Sequence, residues 1–305
     1  MTCRLFRFRS VWALAGWVAV LSTSAIAQQS AETPAVDVAN APADANTNTT
    51  ADKTTDTTAE KTSEFVHPLM WTVDFAKSRS DYIRKSVRDY TCRLIKRERI
   101  DGELQPYQLA RLKVRSEQRL DGEVVKPMAV FIQFLGPSRL KDRRVLYIDG
   151  QNDGQALVRK GGSVLKQLQL SIDPHGSAAK RESNYPITDV GFDKFVERLI
   201  QRANDDIARD PTAENTKVSY FRNAKVGDRK CLHIRVVHPH SGNDMDFHIA
   251  SLYVDNELQV PTKLAVYGWP KREGEQPPVN EEYTYVDLRL NVGLADTDFS
   301  ETALE

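Results

Sequence analysis

The chain has 305 residues, 40% of them apolar and 28% charged, with 42 basic side chains against 42 acidic ones. That length and apolar share suffice for a buried core, while a formal charge of zero excludes a bulk electrostatic binder of nucleic acid. Three cysteines exclude a disulfide-dense scaffold, and a mean hydropathy of −0.49 excludes a polytopic membrane protein.

Residues 1–27 place Arg4, Arg7 and Arg9 ahead of a short apolar run from Val11 to Leu21, which ends in Ala25, Ile26 and Ala27. A basic start, a short apolar stretch and an A-x-A site predict a secretory signal peptide, with no spanning segment left after cleavage. Residues 28–64 predict a disordered spacer: residues 28–63 hold 8 Ala and 9 Thr and no aromatic, Leu, Ile or Met, so little there offsets the entropy of ordering. The charge is therefore a composite. Three arginines belong to the signal, the spacer has 2 Lys against 6 acids, and 37 basic against 36 acidic residues remain from 64 onward. Residues 65–305 carry no linker-like stretch and are expected to form a single domain.

His67 and Pro68 open a segment in which Leu69, Val73, Ala76, Ile83 and Val87 recur at mostly helical spacing, which predicts an amphipathic helix of about 20 residues. A second helix is predicted from Phe192, Phe195, Val196, Leu199, Ile200, Ala203 and Ile207, capped by Thr188 or Asp189 and stopped by Asp210 and Pro211. Nearly everything else alternates with period two. Leu112 and Val114 alternate with Arg111, Lys113 and Arg115; Leu232, Ile234 and Val236 alternate with His233 and Arg235; Thr284, Val286, Leu288 and Leu290 alternate with Tyr285, Asp287 and Arg289. Such alternation means antiparallel sheet with one buried face. Met128 to Leu135 is apolar but for Gln133 and suits a central strand. Asp101-Gly102, Asp121-Gly122 and Asp149-Gly150 predict tight hairpins, because both central positions of a type I′ turn need positive φ. The expected fold is α+β: a curved antiparallel half-barrel of roughly ten strands in a meander, packed against two principal helices.

Several runs resemble an uncharacterised family of exported bacterial proteins. They are Phe134 to Pro137 leading to Arg144–Tyr147 and Asn152–Gly154; Tyr185, Pro186 and on to Gly191; Tyr253 to Asp255 with Val260 and Pro261; Trp269 and Pro270; and Glu282, Tyr283 and Tyr285 continuing to Asp296, Asp298 and Phe299. The layout is similar to the periplasmic Lol-type lipoprotein-carrier superfamily. That resemblance implies a half-barrel whose concave side holds acyl chains, in the periplasm or cell envelope.

The residues themselves offer little catalytic chemistry. The Asp149–Gly154 run fails the EF-hand template, with Gln151 at the third position and Lys160 at the twelfth. His238, His240, Asp244, Asp246 and His248 have metal-ligand chemistry but lie in a loop rich in Pro, Ser and Gly, and read as solvated. No nucleophile elbow or phosphate loop is present, so no cofactor, metal or catalytic residue is assigned. Cys92 and Cys231 either form one bridge or are two separately buried thiols. Arg111, Lys113 and Arg115 read as the wet face of a strand or as a cavity rim meeting anionic head groups. Tyr147, Tyr267, Trp269, Tyr283 and Tyr285 are candidates for an apolar cavity wall, or ordinary core. The expected function is non-catalytic binding of a lipid, lipoprotein acyl chain or other hydrophobic envelope ligand. The alternative is an envelope structural or protein-interaction module whose half-barrel is filled by its own side chains.

Overall fold

A computed structural model describes residues 65–161, 168–242 and 244–305; the predicted signal and spacer lie outside these described residues. In chain order the elements are α1 (Met70–Ser86), β1 (Asp89–Ile100), β2 (Glu103–Leu104), β3 (Gln108–Arg115), β4 (Gln118–Leu120), β5 (Glu123–Lys126), β6 (Ala129–Gly136), β7 (Arg144–Ile148), β8 (Ala156–Arg159) and β9 (Gln169–Ile172). Then follow α2 (Ser177–Lys180), α3 (Phe192–Arg209), β10 (Lys217–Val226), β11 (Arg229–Val237), β12 (Ile249–Asp255), β13 (Pro261–Tyr267) and β14 (Val279–Leu290). Asp101 and Gly102, like Asp121 and Gly122, have φ between 50° and 88°, as two-residue hairpin turns require. Asp149-Gly150 instead leads into a 3-10 turn at Asn152–Gly154.

Twelve strands form one open antiparallel sheet in the order β10-β11-β12-β13-β14-β1-β3-β6-β7-β8-β9, with β2 hanging on β1, while β4 and β5 pair separately. The half-barrel is therefore two meanders rather than one. They meet where the last strand, β14, pairs with the first, β1, in the middle of the sheet. The helical segment α2–α3 connects β9 to β10, the two opposite edges, and so must cross a face of the sheet.

Helices and core explain which face. Leu69, Val73 and Ile83 of the α1 region and Phe192, Phe195 and Val196 of α3 are buried together with Tyr90, Leu112, Val114, Val130, Val236 and Val266 from the sheet. Along β1 and β3 these core residues alternate with Arg93, Arg111 and Lys113, so the apolar face is concave toward the helices and the charged face is convex. Gly191 precedes α3 with φ 151°, and a Cβ there would meet Asp193 Oδ1 at 2.6 Å, so the helix is entered through a glycine and not through a Thr188 or Asp189 cap. Asp189 instead accepts from Arg198 Nη1 at 2.8 Å.

A small second core lies on the convex side. Phe299 and Leu304, in 3-10 turns after β14, pack on Ala129, Phe131 and Leu146. On the other meander, Asp255 is 1% exposed and closes the β12–β13 turn, accepting from the backbone N–H of Glu257 and Leu258 at 2.9 and 2.8 Å and from Arg229 Nη2 at 2.9 Å. Burial alone would push its carboxyl up, but the Arg229 guanidinium and these two N–H groups outweigh it and hold the carboxyl below its usual range. A depressed folded-state value gives stability that is present above the unfolded value, about 4, and is lost as pH falls through the folded one. Asp255→Asn should therefore cost about 1–3 kcal/mol at neutral pH. In urea denaturation the gap to wild type should close as pH drops below about 4; a gap that stays constant with pH counts against the assignment.

Candidate functional site

The two halves of the concave face are filled differently. Over β10–β13 the helices α1 and α3 pack closely against the sheet, and the space left among Val73, Ile200, Ile234 and Leu252 is about 30 Å³. Over β1, β3 and β6–β9 the cover is lighter, formed by α2, the 3-10 turn Ile187–Asp189 and one side of α3. Beneath it lies a cavity of about 580 Å³. Its sheet wall follows from strand alternation: Leu94, Ala110, Leu112, Ile132, Val145 and Val158 all project from the concave face. A volume of several hundred Å³ with an apolar wall and a few convergent polar groups is the usual form of a small-molecule site.

The polar groups gather at one place. Glu98 on β1 and Glu281 on β14 stand directly opposite each other in the strand register and are 2% and 6% exposed. The Tyr283 hydroxyl donates to Glu98. Lys96 Nζ lies 2.9 Å from Glu98 Oε2 and donates also to Ser183 Oγ at 2.9 Å. The Tyr185 hydroxyl donates to Glu281 Oε1 at 3.0 Å. Burial pushes the Glu281 carboxyl up, against the pull of Arg202 and of Tyr185. Sequence reasoning missed both glutamates: on β1 Lys96, Arg97, Glu98 and Arg99 are all charged, and on β14 Glu281 and Glu282 are adjacent acids, so charge alone does not mark which of them point inward.

The DUF1571 family, described as protein of unknown function, matches residues 87–303. The chain belongs to that family. Membership of an uncharacterised family, expected from the sequence motifs, is thereby shown, and the match spans both meanders and the cavity. Among solved structures, this DUF1571 chain is similar to a DUF1329 family protein from Desulfovibrio piger, at 15% identity and TM-score 0.38, over 79% of this chain and 100% of the other. It is similar to a LolA superfamily protein from Nitrosomonas europaea at 13% identity and TM-score 0.31, over 76% and 98%. It is also similar to a chain of the MucA/MucB complex of Pseudomonas aeruginosa at 13% identity and TM-score 0.41, over 76% of this chain; it spans 62% of that one. No curated protein matches it.

In the DUF1571 chain the sequence-predicted candidates separate by face. Tyr283 and Tyr285 line the cavity. Tyr147 follows Val145 by two residues and so shares its face, but it lies farther along β7, buried, with its hydroxyl on Asp149 at 3.0 Å; burial and that carboxylate push its phenol up to about 12. Tyr267 lies on the convex side of β13, opposite the inward Leu264 and Val266, and is not part of the wall. Trp269 is also outside it: its indole N–H donates to the His238 carbonyl at 2.9 Å at the end of β11.

The basic stripe is not a cavity rim. Arg111, Lys113 and Arg115 alternate with Ala110, Leu112 and Val114, which point inward, so the three cations lie on the convex face. Lys113 meets Asp298 at 2.8 Å, and Arg115, 3% exposed, meets Asp296 and lies over the Phe299 ring at 5.0 Å. Two of the three thus fasten the C-terminal turns, while Arg111 is exposed.

Cys92 and Cys231 are free, buried thiols. Cys92 is on the concave face of β1 and Cys231 on the convex side of β11, four strands away at about 4.8 Å per strand, far beyond the about 7 Å a disulfide spans. The histidine loop is likewise structural in part. His238 is wholly buried between Asp206 Oδ2, 3.3 Å from Nε2, and the Asn215 carbonyl, 3.0 Å from Nδ1. Among the described residues, no cluster of three or more His, Cys, Asp or Glu could hold a metal ion. None of their helices is long and apolar enough to cross a membrane.

Proposed function

We propose that this protein is an exported, non-catalytic binding protein that holds a lipid, an acyl chain or a similar hydrophobic envelope ligand in the cavity under α2 and α3. The observation that carries the reading is the unfilled half of the concavity. A protein that used its half-barrel only as a scaffold would be expected to pack this half as α1 and α3 pack the other. Here about 580 Å³ is left open against an apolar wall, a volume in the range of small-molecule pockets. Apolar burial supplies the affinity, at about 25 cal/mol per Å² removed from water, and the buried polar cluster supplies orientation. Lys96, Tyr185 and Tyr283 are engaged with Glu98 and Glu281 in hydrogen bonds and ion pairs, an arrangement for holding a polar group. Export is proposed from the signal-like residues 1–27.

The test is native mass spectrometry of the protein purified gently from its own cell envelope. The expected result is a chain mass accompanied by extractable lipid, lost on organic extraction. A bare chain mass from several independent preparations, together with no uptake of added lipid, would overturn the proposal and favour a protein-interaction module.

A further inference from the structure

The cavity changes character along the strands. Near the middle of the sheet its inward positions are Leu94, Ala110, Leu112 and Ile132. Two to four residues farther toward one end, the same face presents Lys96 and Glu98 on β1 and Gln108 on β3, with Glu281 beside them on β14. The register places Lys96 opposite Gln108 and Glu98 opposite Glu281, so these groups gather at one end of the concavity. An occupant of such a space is an amphiphile, with its tail toward mid-sheet and its head at this end.

The charges at that end select the head. The acids Glu98 and Glu281 are directly paired across β1 and β14, an arrangement that opposes folding through both like-charge contact and burial. Their partners answer only one of them well. Lys96 stands 2.9 Å from Glu98, whereas the cation nearest Glu281 is Arg202 at 3.9 Å. Tyr283 has a single hydroxyl proton; it is committed to Glu98 and leaves Glu281 Oε2 at 3.4 Å with no second donor from that phenol. Glu281 is thus left with one neutral donor, Tyr185, and a distant guanidinium. A further positive group that donates hydrogen bonds would complete the cluster, while a carboxylate or phosphate would add a third negative charge to it.

On the reading of the cavity as a ligand site, we infer that its ligand is an amphiphile with a protonated amine head. The ammonium sits against Glu281 and Glu98, and the hydrocarbon tail runs along Leu94, Ala110, Leu112 and Ile132. The other cavity cations do not compete for this role. Arg198 is engaged by Asp189 and Arg143 by Glu182, and Lys160 lies beyond the end of β8, four strands from β1.

Calorimetric titration of the purified full chain with decylamine, decanol and decanoate, each below its micellar concentration, tests the head separately from the cavity. The expected order is decylamine tightest, by about tenfold over decanol, which corresponds to about 1.4 kcal/mol, with decanoate weakest. Glu281→Gln and Glu98→Gln, checked for folding by circular dichroism and thermal melting, should each remove most of the amine preference. Decanoate binding as tightly as decylamine, equal binding of amine and alcohol, or an amine preference that survives both substitutions would overturn the amine head and leave the cavity reading intact. No binding of any of the three chains would instead overturn the cavity reading. The wild-type series decides the head group even if a variant fails to fold.

Discussion

Val158→Trp will remove ligand binding by tenfold or more while leaving the fold in place. Val158 sits midway along β8, opposite Val145 on one side and Leu170 on the other, and faces the cavity half-buried rather than locked in the packed core. A large ring introduced into a filled core forces strain of about 1–3 kcal/mol. Here the indole has open volume to enter, so its cost falls on the ligand instead. Leu112→Trp is the control in the opposite sense: Leu112 also lines the cavity wall but is 2% exposed among core residues, so enlarging it should lower stability as well as binding. The readouts are lipid occupancy in native mass spectra and the melting temperature. Wild-type occupancy in a well-folded Val158→Trp protein would place the ligand elsewhere.

The helices and hairpins were legible because their signals are local. The unbroken i, i+3, i+4, i+7 run from Phe192 to Ile207 became α3, and the Asp-Gly pairs at 101–102 and 121–122 became two-residue turns. The pairing of β14 with β1 was not legible, since it joins residues nearly 200 positions apart and no local pattern encodes it. Nor was a register shift near Asp287, which has φ 53°. Alternation read straight through β14 puts Tyr283 and Tyr285 on the face opposite Leu288 and Leu290. The bulge inserts one residue and brings all four to the concave side, where they join the core. The same period-two logic identified the tyrosines of β14 as sharing a face, yet could not say that Tyr267 of β13 would face the other way. A one-residue slip inverts every side chain. Arg115 illustrates a different limit. Its role depends on Asp296 and Phe299, which reach it only because the chain folds back over β3 after the final strand.

Phe192→Ala should be among the most destabilising single substitutions in the protein, at about 3–5 kcal/mol. Phe192 is the first residue of α3 and is 2% exposed. Its ring stacks on Tyr90 at 4.5 Å and 28° and meets Tyr285 at 5.3 Å and 56°. Those two rings belong to β1 and β14, the strands where the two meanders join. Truncation removes both aromatic contacts and leaves a void where the helix is anchored to that junction. The Tyr90 hydroxyl, already buried without a hydrogen-bond partner, would gain nothing in return unless water entered. For a domain of this size a loss of this magnitude lowers the melting temperature by about 10 °C. Phe221→Ala, at a ring 39% exposed on edge strand β10, should change it far less. Because α3 also covers the cavity and Tyr285 lines it, the Phe192 variant should bind decyl chains more weakly at temperatures where it is still folded. A variant that melts within a degree or two of wild type would mean that α3 is not seated on the β1–β14 junction, and the cavity it covers would have to be redrawn.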